Sequence, residues 1–545
     1  MLDPVNDQHQ TVSVDQVLRS FELGDDSLRE IKGHLLREMD LGLKDEESAT
    51  VKMLITYVRD LSRGDESGSY LALDLGGTHF RVLLVELMNG QAKVTSAVHD
   101  IPHELLITQQ GQDLFDYVAL KLLEFVQQYK LKRRRISLGF TFSFPCKQYG
   151  LTQSVLVKWC KGFRVGGVEG TDVVKQLKDA LKRQLAGLVQ AYVDVVAVIN
   201  DTTGTLVACA NSNPDCRIGL IVGTGFNACY LERLDRCEKW PANYTSPKQV
   251  IVNCEWGALG DNKQRRELDK FRNEFDHQVD AESVNPGSQT YEKMVSGMYI
   301  GELLRLSMLK LFKNRLLFKA MFDGQDAAAT EPNQRTRSPS PARSPASCRG
   351  PRSASSVGSN VSLQNRICVS PNSTTSLESS HKLNVKNALD GKHLSMLGMD
   401  ELGGTFTEST KVMQELNISQ FEKSDLTIVI QLASKIMTRS AHLVGCGVSA
   451  LLEKLERPFS VVGYDGSVIK YHPYFLKNVV QKCGQLTSKE HKFEFSLSSD
   501  GSGIGAAVVA AALHKERRPI YVVKPGKVYE LHFSKPASSI GTNGG

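Results

Sequence analysis

The stretch YLALDLGGTHFRVLLVEL, residues 70–87, sets the fold class. Two short runs rich in Leu and Val, 70–77 and 80–87, flank a Gly-Gly turn, and that pattern predicts a β-hairpin. The first run closes on Asp74, so an acid stands at a strand end just before the paired glycines. Glycine lets backbone N–H groups approach an anion closely, Thr78 adds a hydroxyl donor, and Arg81 adds charge. Asp74, Gly76, Gly77, Thr78 and Arg81 therefore form a candidate phosphate turn. Asp74 is suited to holding Mg²⁺ through water, because that ion prefers carboxylates and phosphate oxygens.

Outward from this hairpin the pattern repeats. Apolar strands are predicted at 136–144, 193–199, 218–222 and 250–253. VGTGFN (222–227) is a second Gly turn after a strand, with Gly223 and Thr224 as its phosphate-facing residues. GYDGS (463–467) and SDGSG (499–503) are two more, the last carrying Asp500, Gly501 and Ser502. Each alone reads as an ordinary turn, and none matches the P-loop pattern. Four of them at the ends of apolar strands point to a nucleotide clamped in a cleft. Helical spacing covers most of 12–63, then 115–129, about 287–320, about 425–455 and 504–513. Strands and helices alternate throughout, which predicts an α/β protein of two lobes.

Composition narrows the function. The chain has 545 residues, enough for more than one folding unit, and 41% of them are hydrophobic. Residues 331–380 hold six Arg and two acids, so they carry +4 of the net +6 and leave the rest near neutral. Nucleic-acid binding is not indicated. Eleven scattered Cys without a CxxC pair read as free thiols in a reducing compartment. MLDPVNDQHQ at the start has no signal-peptide pattern, and no run is long enough to span a membrane, so a cytoplasmic location is expected.

IND (199–201) closes the apolar run VDVVAV. Asp201, at the end of a buried strand, is placed to accept a proton. The alternative is an N-cap for TTGTLVACA, and the residues alone slightly favour the cap.

Eight motifs in order carry a resemblance: LALDLGGTHFRVLLV, LGFTFSFPCKQ, WCKGF, VAVINDTTGT, IGLIVGTGFNACYLE, VNCEWGALGD, NPG with QTYEKMVSGMYIGELLR, and LSSDGSGIGAA. Together they resemble the hexokinase family along nearly the whole chain. The resemblance implies the two-lobed actin-like ATPase fold, with a small lobe at 64–199 and a large lobe at 200–516. An N-terminal helical segment (1–63) and a C-terminal tail (517–545) flank them. It implies phosphorylation of a hexose, glucose first, on the 6-hydroxyl by ATP with Mg²⁺, the first step of glycolysis. Asp201 then corresponds to the catalytic base. Ser143, Lys161, Asn200, Asn227, Glu255, Gln289 and Glu292 correspond to sugar contacts. Carboxylates and amides suit that task, since each can bind two hydroxyls. Lys161 also stands where a cation could offset phosphoryl charge.

Three positions depart from the family pattern: His79 for Asn, Cys160 for Thr, and Phe226 for a small residue. Cys160 removes a hydroxyl donor, a loss of about 1 kcal/mol or more. Phe226 either narrows the phosphate site or points away. These departures leave a second reading, a weakly catalytic relative that binds sugar or nucleotide as a sensor or scaffold. A chaperone-type ATPase on the same fold is a third, opposed by the sugar-contact set. Residues 324–390 have no family counterpart in this reading and form a Ser/Pro/Arg-rich disordered insertion. Ser338, Ser340, Ser344 and Ser370 each precede Pro, so a protein kinase or scaffold is a candidate partner there, with an unmodified flexible spacer as an equally weighted alternative.

Overall fold

The computed structural model describes residues 12–322, 381–516, 520–524 and 527–531, apart from 62–63, 78, 89, 132–134, 160, 186–191, 242–246, 263 and 265. Two sheets dominate. The first contains β2 (Gly68–Leu75), β3 (His79–Met88), β4 (Gln91–Asp100), β5 (Arg135–Phe142) and β8 (Tyr192–Ile199), in the order β4-β3-β2-β5-β8. The second contains β1 (Leu54–Ile55), β9 (Cys216–Val222), β10 (Phe226–Arg233), β11 (Gln249–Asn253), β12 (Phe459–Asp465) and β13 (Lys492–Leu497), in the order β1-β11-β10-β9-β12-β13. A small hairpin, β6 (Cys146–Gly150) and β7 (Gln153–Leu156), follows β5.

The sheets share one plan. In each, a leading strand (β2 or β9) pairs antiparallel with the next strand, which pairs antiparallel with a third. The other edge of the leading strand takes two parallel strands in succession. The hairpin read from residues 70–87 is β2–β3, and VGTGFN is its counterpart between β9 and β10.

Each last parallel strand feeds a helix, Asp201–Ser212 after β8 and Gly501–Glu516 after β13. The two helices cross between the sheets, where Leu206, Cys209 and Ala510 share a core with Ala72, Leu83, Cys229 and Val461. The approach is close. A Cβ built on Gly505 would lie 2.0 Å from the Gly204 carbonyl oxygen, and one on Gly204 would lie 2.7 Å from the Ser502 carbonyl oxygen. Only glycine permits this contact, which is why the helix IGAAVVAAAL is built from small residues.

Four expectations need correction. Helix in the first segment stops at Lys44 rather than near 63. Val51 and Met53 are buried against the second sheet, and β1 then joins that sheet beside β11. The helical stretch near 287–320 is two helices, Thr290–Lys293 and Gly297–Lys313, separated by a turn. Residues 381–390, placed inside the expected insertion of 324–390, are described and packed against the fold. Leu383 and Leu389 are buried in the large core, and Asp390 caps the helix Gly391–Gly403 through bonds to two backbone N–H groups. In the expected tail, β14 (Ile520–Lys524) and β15 (Lys527–Leu531) pair as a hairpin. Ser338, Ser340, Ser344 and Ser370 lie outside the described residues.

Candidate active site

The plan of the sheets brings the ends of β2, β8, β9 and β13 to one cleft. At the first turn, Asp74 is buried and its Oδ2 accepts from Arg81 Nη2 (2.6 Å) and Ser502 Oγ (2.7 Å). Arg81 Nη1 donates to Asp500 Oδ1 at 2.5 Å. The first turn of one sheet is thus tied to the turn that starts the helix after the other. Two flanking acids hold the Arg81 proton more firmly than usual, although burial opposes them. Gly77 has open space around its Cα, and Gly76 faces Ser143, whose Oγ lies 3.3 Å from an added Cβ. Thr78 falls outside the described residues.

The second turn is braced from behind. A Cβ on Gly223 would lie 3.3 Å from Gly466, and the Gly223 and Thr224 carbonyls accept from Gly297 and Met298 N–H groups. Gly225 borders both Glu292, at 3.3 Å from an added Cβ, and the Lys161 side chain, at 3.9 Å. The phosphate turn and the polar floor therefore meet at Gly225.

On that floor, Asn200 rather than Asp201 caps the helix, its Oδ1 accepting from Thr202 N (3.0 Å) and Thr202 Oγ1 (2.7 Å). Asp201 occupies the first helical position. Its Oδ1 accepts from Thr202 N at 2.8 Å. Burial pushes the Asp201 carboxyl above the usual range and nearby Asp74 adds to this, while Lys161 and a bond from Ser143 oppose it. Lys161 Nζ donates to the Ser143 carbonyl at 2.6 Å and sits 5.4 Å from the Phe144 ring centroid.

Across the cleft, Asn227 on β10 and Asn253 on β11 converge on Glu255. Glu255 Oε1 accepts from Asn253 Nδ2 (2.7 Å) and Asn227 Nδ2 (3.1 Å). Burial, Asp201 and Glu292 push the Glu255 carboxyl up to about 7 against the bond from Asn253 and the charge of Lys161. Glu292 is raised as well, chiefly by burial, and its Oε2 accepts from Phe226 N at 3.0 Å. Gln289 lies against the turn that follows Glu255, its Oε1 2.4 Å from a Cβ built on Gly257. Lys161, Glu255, Gln289 and Asp500 all have φ between +51° and +60°. Left-handed backbone in non-glycine residues is uncommon, and at these four positions the surrounding packing imposes it.

Family models described as hexokinase match residues 13–211 and then 217–347 and 362–512. The chain belongs to the hexokinase family. It is 34% identical to the hexokinase of Schistosoma mansoni over 517 residues, which cover 94% of this chain and 99% of that one. Against Hexokinase-1 of Rattus norvegicus the identity is 34% over 516 residues, 93% of this chain but 48% of the relative, so the chain spans about half that protein's length. A solved structure of hexokinase from Schistosoma mansoni complexed with glucose superimposes with a TM-score of 0.74 and 34% identity, over 92% of this chain and 98% of the other. The two-lobed α/β fold expected from the motifs is therefore the hexokinase fold. The family match resumes at 362, so within 324–390 only 348–361 stand outside it.

Two of the three departures from the hexokinase pattern have a structural account. The Phe226 ring points away from the cleft into the core, 4.9 Å from Trp256 and 5.3 Å from Tyr291 between ring centroids. His79 is exposed and pairs with Asp100 across the sheet, 2.9 Å from Nε2 to Oδ1. Cys160 lies outside the described residues. Sequence reading missed two residues that shape this cleft. Asp261 accepts from the backbone N–H groups of Gln289 (2.8 Å) and Thr290 (2.9 Å), which fixes the Gln289 turn. Asn253 was findable: it lies two residues before Glu255, at the end of an apolar strand.

Proposed function

We propose that the chain transfers the γ-phosphoryl group of ATP to the 6-hydroxyl of a hexose, glucose first, giving hexose 6-phosphate and ADP. The observation that carries this reading is the placement of Asp201. It stands at a helix N-terminus on the cleft floor, with Lys161 and Ser143 beside it and the Asp74 turn within electrostatic reach. A carboxylate whose proton affinity is raised by burial is a stronger base than one in water. Asp201 takes the proton of the 6-hydroxyl as the oxygen attacks. Lys161 offsets charge on the phosphoryl group in transit. Ser143, Asn200, Asn227, Glu255, Gln289 and Glu292 hold the sugar. Asn227 and Asn253 both donate to Glu255 Oε1, which leaves Oε2 as the oxygen offered to a sugar hydroxyl.

The Gly76–Gly77 and Gly223–Thr224 turns receive the phosphates, and Arg81, Asp500, Gly501 and Ser502 frame the nucleotide side. Asp74 suits Mg²⁺ held through water. It is a buried carboxylate whose Oδ2 is engaged by Arg81 and Ser502, and whose Oδ1 lies on the Gly76 side. When bound, Mg²⁺ would neutralise phosphate charge. The reaction fits a cytoplasmic setting. The described cysteines are free, and no described helix is long and apolar enough to cross a membrane.

The test is ATP-dependent glucose 6-phosphate formation by the purified chain beside Asp201→Ala. Removing a general base costs about 10²–10⁴-fold, so activity should fall by at least that much while folding is retained. A folded parent without activity at high glucose and ATP would overturn the reading and favour sugar or nucleotide binding alone.

A further inference from the structure

We propose that Asn253 is a positioning residue of this site: its side-chain amide, locked in one orientation by a relay that starts at the backbone, holds the Glu255 carboxylate and the Asn227 amide in the arrangement that receives the sugar. The inference rests on the hexose kinase reading above.

The relay begins at two main-chain donors. The N–H groups of Ala228 and Glu255 both donate to Asn227 Oδ1, at 2.8 and 3.1 Å. They fix the Asn227 amide with its oxygen toward the backbone and its nitrogen away from it. That nitrogen donates to Asn253 Oδ1 at 2.8 Å. With its oxygen engaged, Asn253 turns its own nitrogen to Glu255 Oε1 at 2.7 Å. Neither amide can flip. Reversing Asn227 would set an NH₂ group against two N–H donors, and reversing Asn253 would set an oxygen against a carboxylate.

The strand that carries the relay is anchored on both edges. Asn253 is opposite Cys229 on β10 and opposite Leu54 on β1, and its side chain is buried. Its amide thus has little room to drift, and Glu255 inherits that fixity.

The charges around Glu255 give the relay its chemical role. Asp201 and Glu292 face it with like charge, Lys161 faces it with opposite charge, and the bond from Asn253 leads the influences that favour ionisation. An ionised carboxylate accepts hydrogen bonds from sugar hydroxyls, whereas a protonated one loses part of that capacity. Asn253 therefore both aims Glu255 and keeps it an acceptor near neutral pH.

The experiment is kcat/KM for glucose as a function of pH for the parent, Asn253→Ala and Asn253→Asp, with Tm measured alongside. Losing a bond to a charged group predicts a KM for glucose raised by about tenfold or more in the Ala variant, with a smaller change in kcat. The acid limb of the profile should move to higher pH in both variants. It should move further in the Asp variant, where two carboxylates share one hydrogen-bond distance. Asn253→Asp preserves shape, so it carries the test if the Ala variant fails to fold. An acid limb that stays in place in the folded variants would overturn the proposal, whatever happens to Tm, and leave Asn253 a structural residue. A parent that makes no hexose 6-phosphate would instead sink the kinase reading itself.

Discussion

Three carboxylates, Asp201, Glu255 and Glu292, meet one ammonium, Lys161, on the cleft floor, and the imbalance costs the ligand-free protein stability. Glu255 is the measurable case. Its carboxyl titrates at about 7 against an ordinary 4.5, so the folded chain holds this proton to higher pH than the unfolded chain does. Stability tied to Glu255 is therefore complete below about 4.5 and declines until pH passes about 7, by at most about 3 kcal/mol. Asp201 and Glu292 are shifted in the same direction. Glu255→Gln removes the charge and keeps the shape. It should raise Tm at pH 8 more than at pH 6 while abolishing most sugar phosphorylation. Equal effects at the two pH values would show that Glu255 ionisation is not what destabilises the site. At this scale the sequence named most of the floor but misassigned one duty. Asn and Asp are both good caps, so IND alone could not say which residue caps the helix; the structure gives the cap to Asn200 and leaves Asp201 facing the cleft.

The crossing of Asp201–Ser212 with Gly501–Glu516 is the element-scale device that aligns two turns from different sheets. Its closeness depends on Gly204 and Gly505. A methyl group at Gly505 would meet the Gly204 carbonyl at 2.0 Å, so Gly505→Ala must force the helices apart. Overpacking of this kind costs about 1–3 kcal/mol, and the displaced N-terminus carries Ser502 away from Asp74 and Arg81. The expected result is a lower Tm together with a raised KM for ATP. An unchanged KM for ATP with a lower Tm would separate the crossing from the nucleotide site. The hairpins and Gly turns were readable because an apolar run and its turn are local signals. The end of the first helical segment was not. Val51 and Met53 stand two apart, a strand spacing that a helical reading of 12–63 passed over, and they are buried in the large core through contacts made by distant parts of the chain.

At the scale of the whole molecule, two sheets of one plan present equivalent turns to a single cleft. The sequence shows no repeat because the sheets match in strand order and direction rather than in residues. Asn253 could be placed near the site from its position before Glu255, but its partnership with Asn227 depends on β10 lying beside β11 and becomes visible only after folding. Floor residues come from both sides of the cleft, Ser143 and Lys161 from connections beside the first sheet, Asn227 from β10 of the second, and Glu255 and Glu292 from segments beside it. A hexose would bridge them and supply hydroxyl protons to carboxylates that otherwise repel one another. Glucose should therefore raise Tm, and by linkage a concentration of 100 times Kd corresponds to about 2.7 kcal/mol. The shift should be larger at pH 8 than at pH 6, because only ionised floor carboxylates gain from those hydroxyl protons. In Glu255→Gln the pH dependence of the shift should shrink. Thermal melts with and without glucose at the two pH values measure all of this. No shift at saturating glucose would remove the bridging role of the floor, and a shift independent of pH would mean that the sugar stabilises the lobes by contact area and not through these charges.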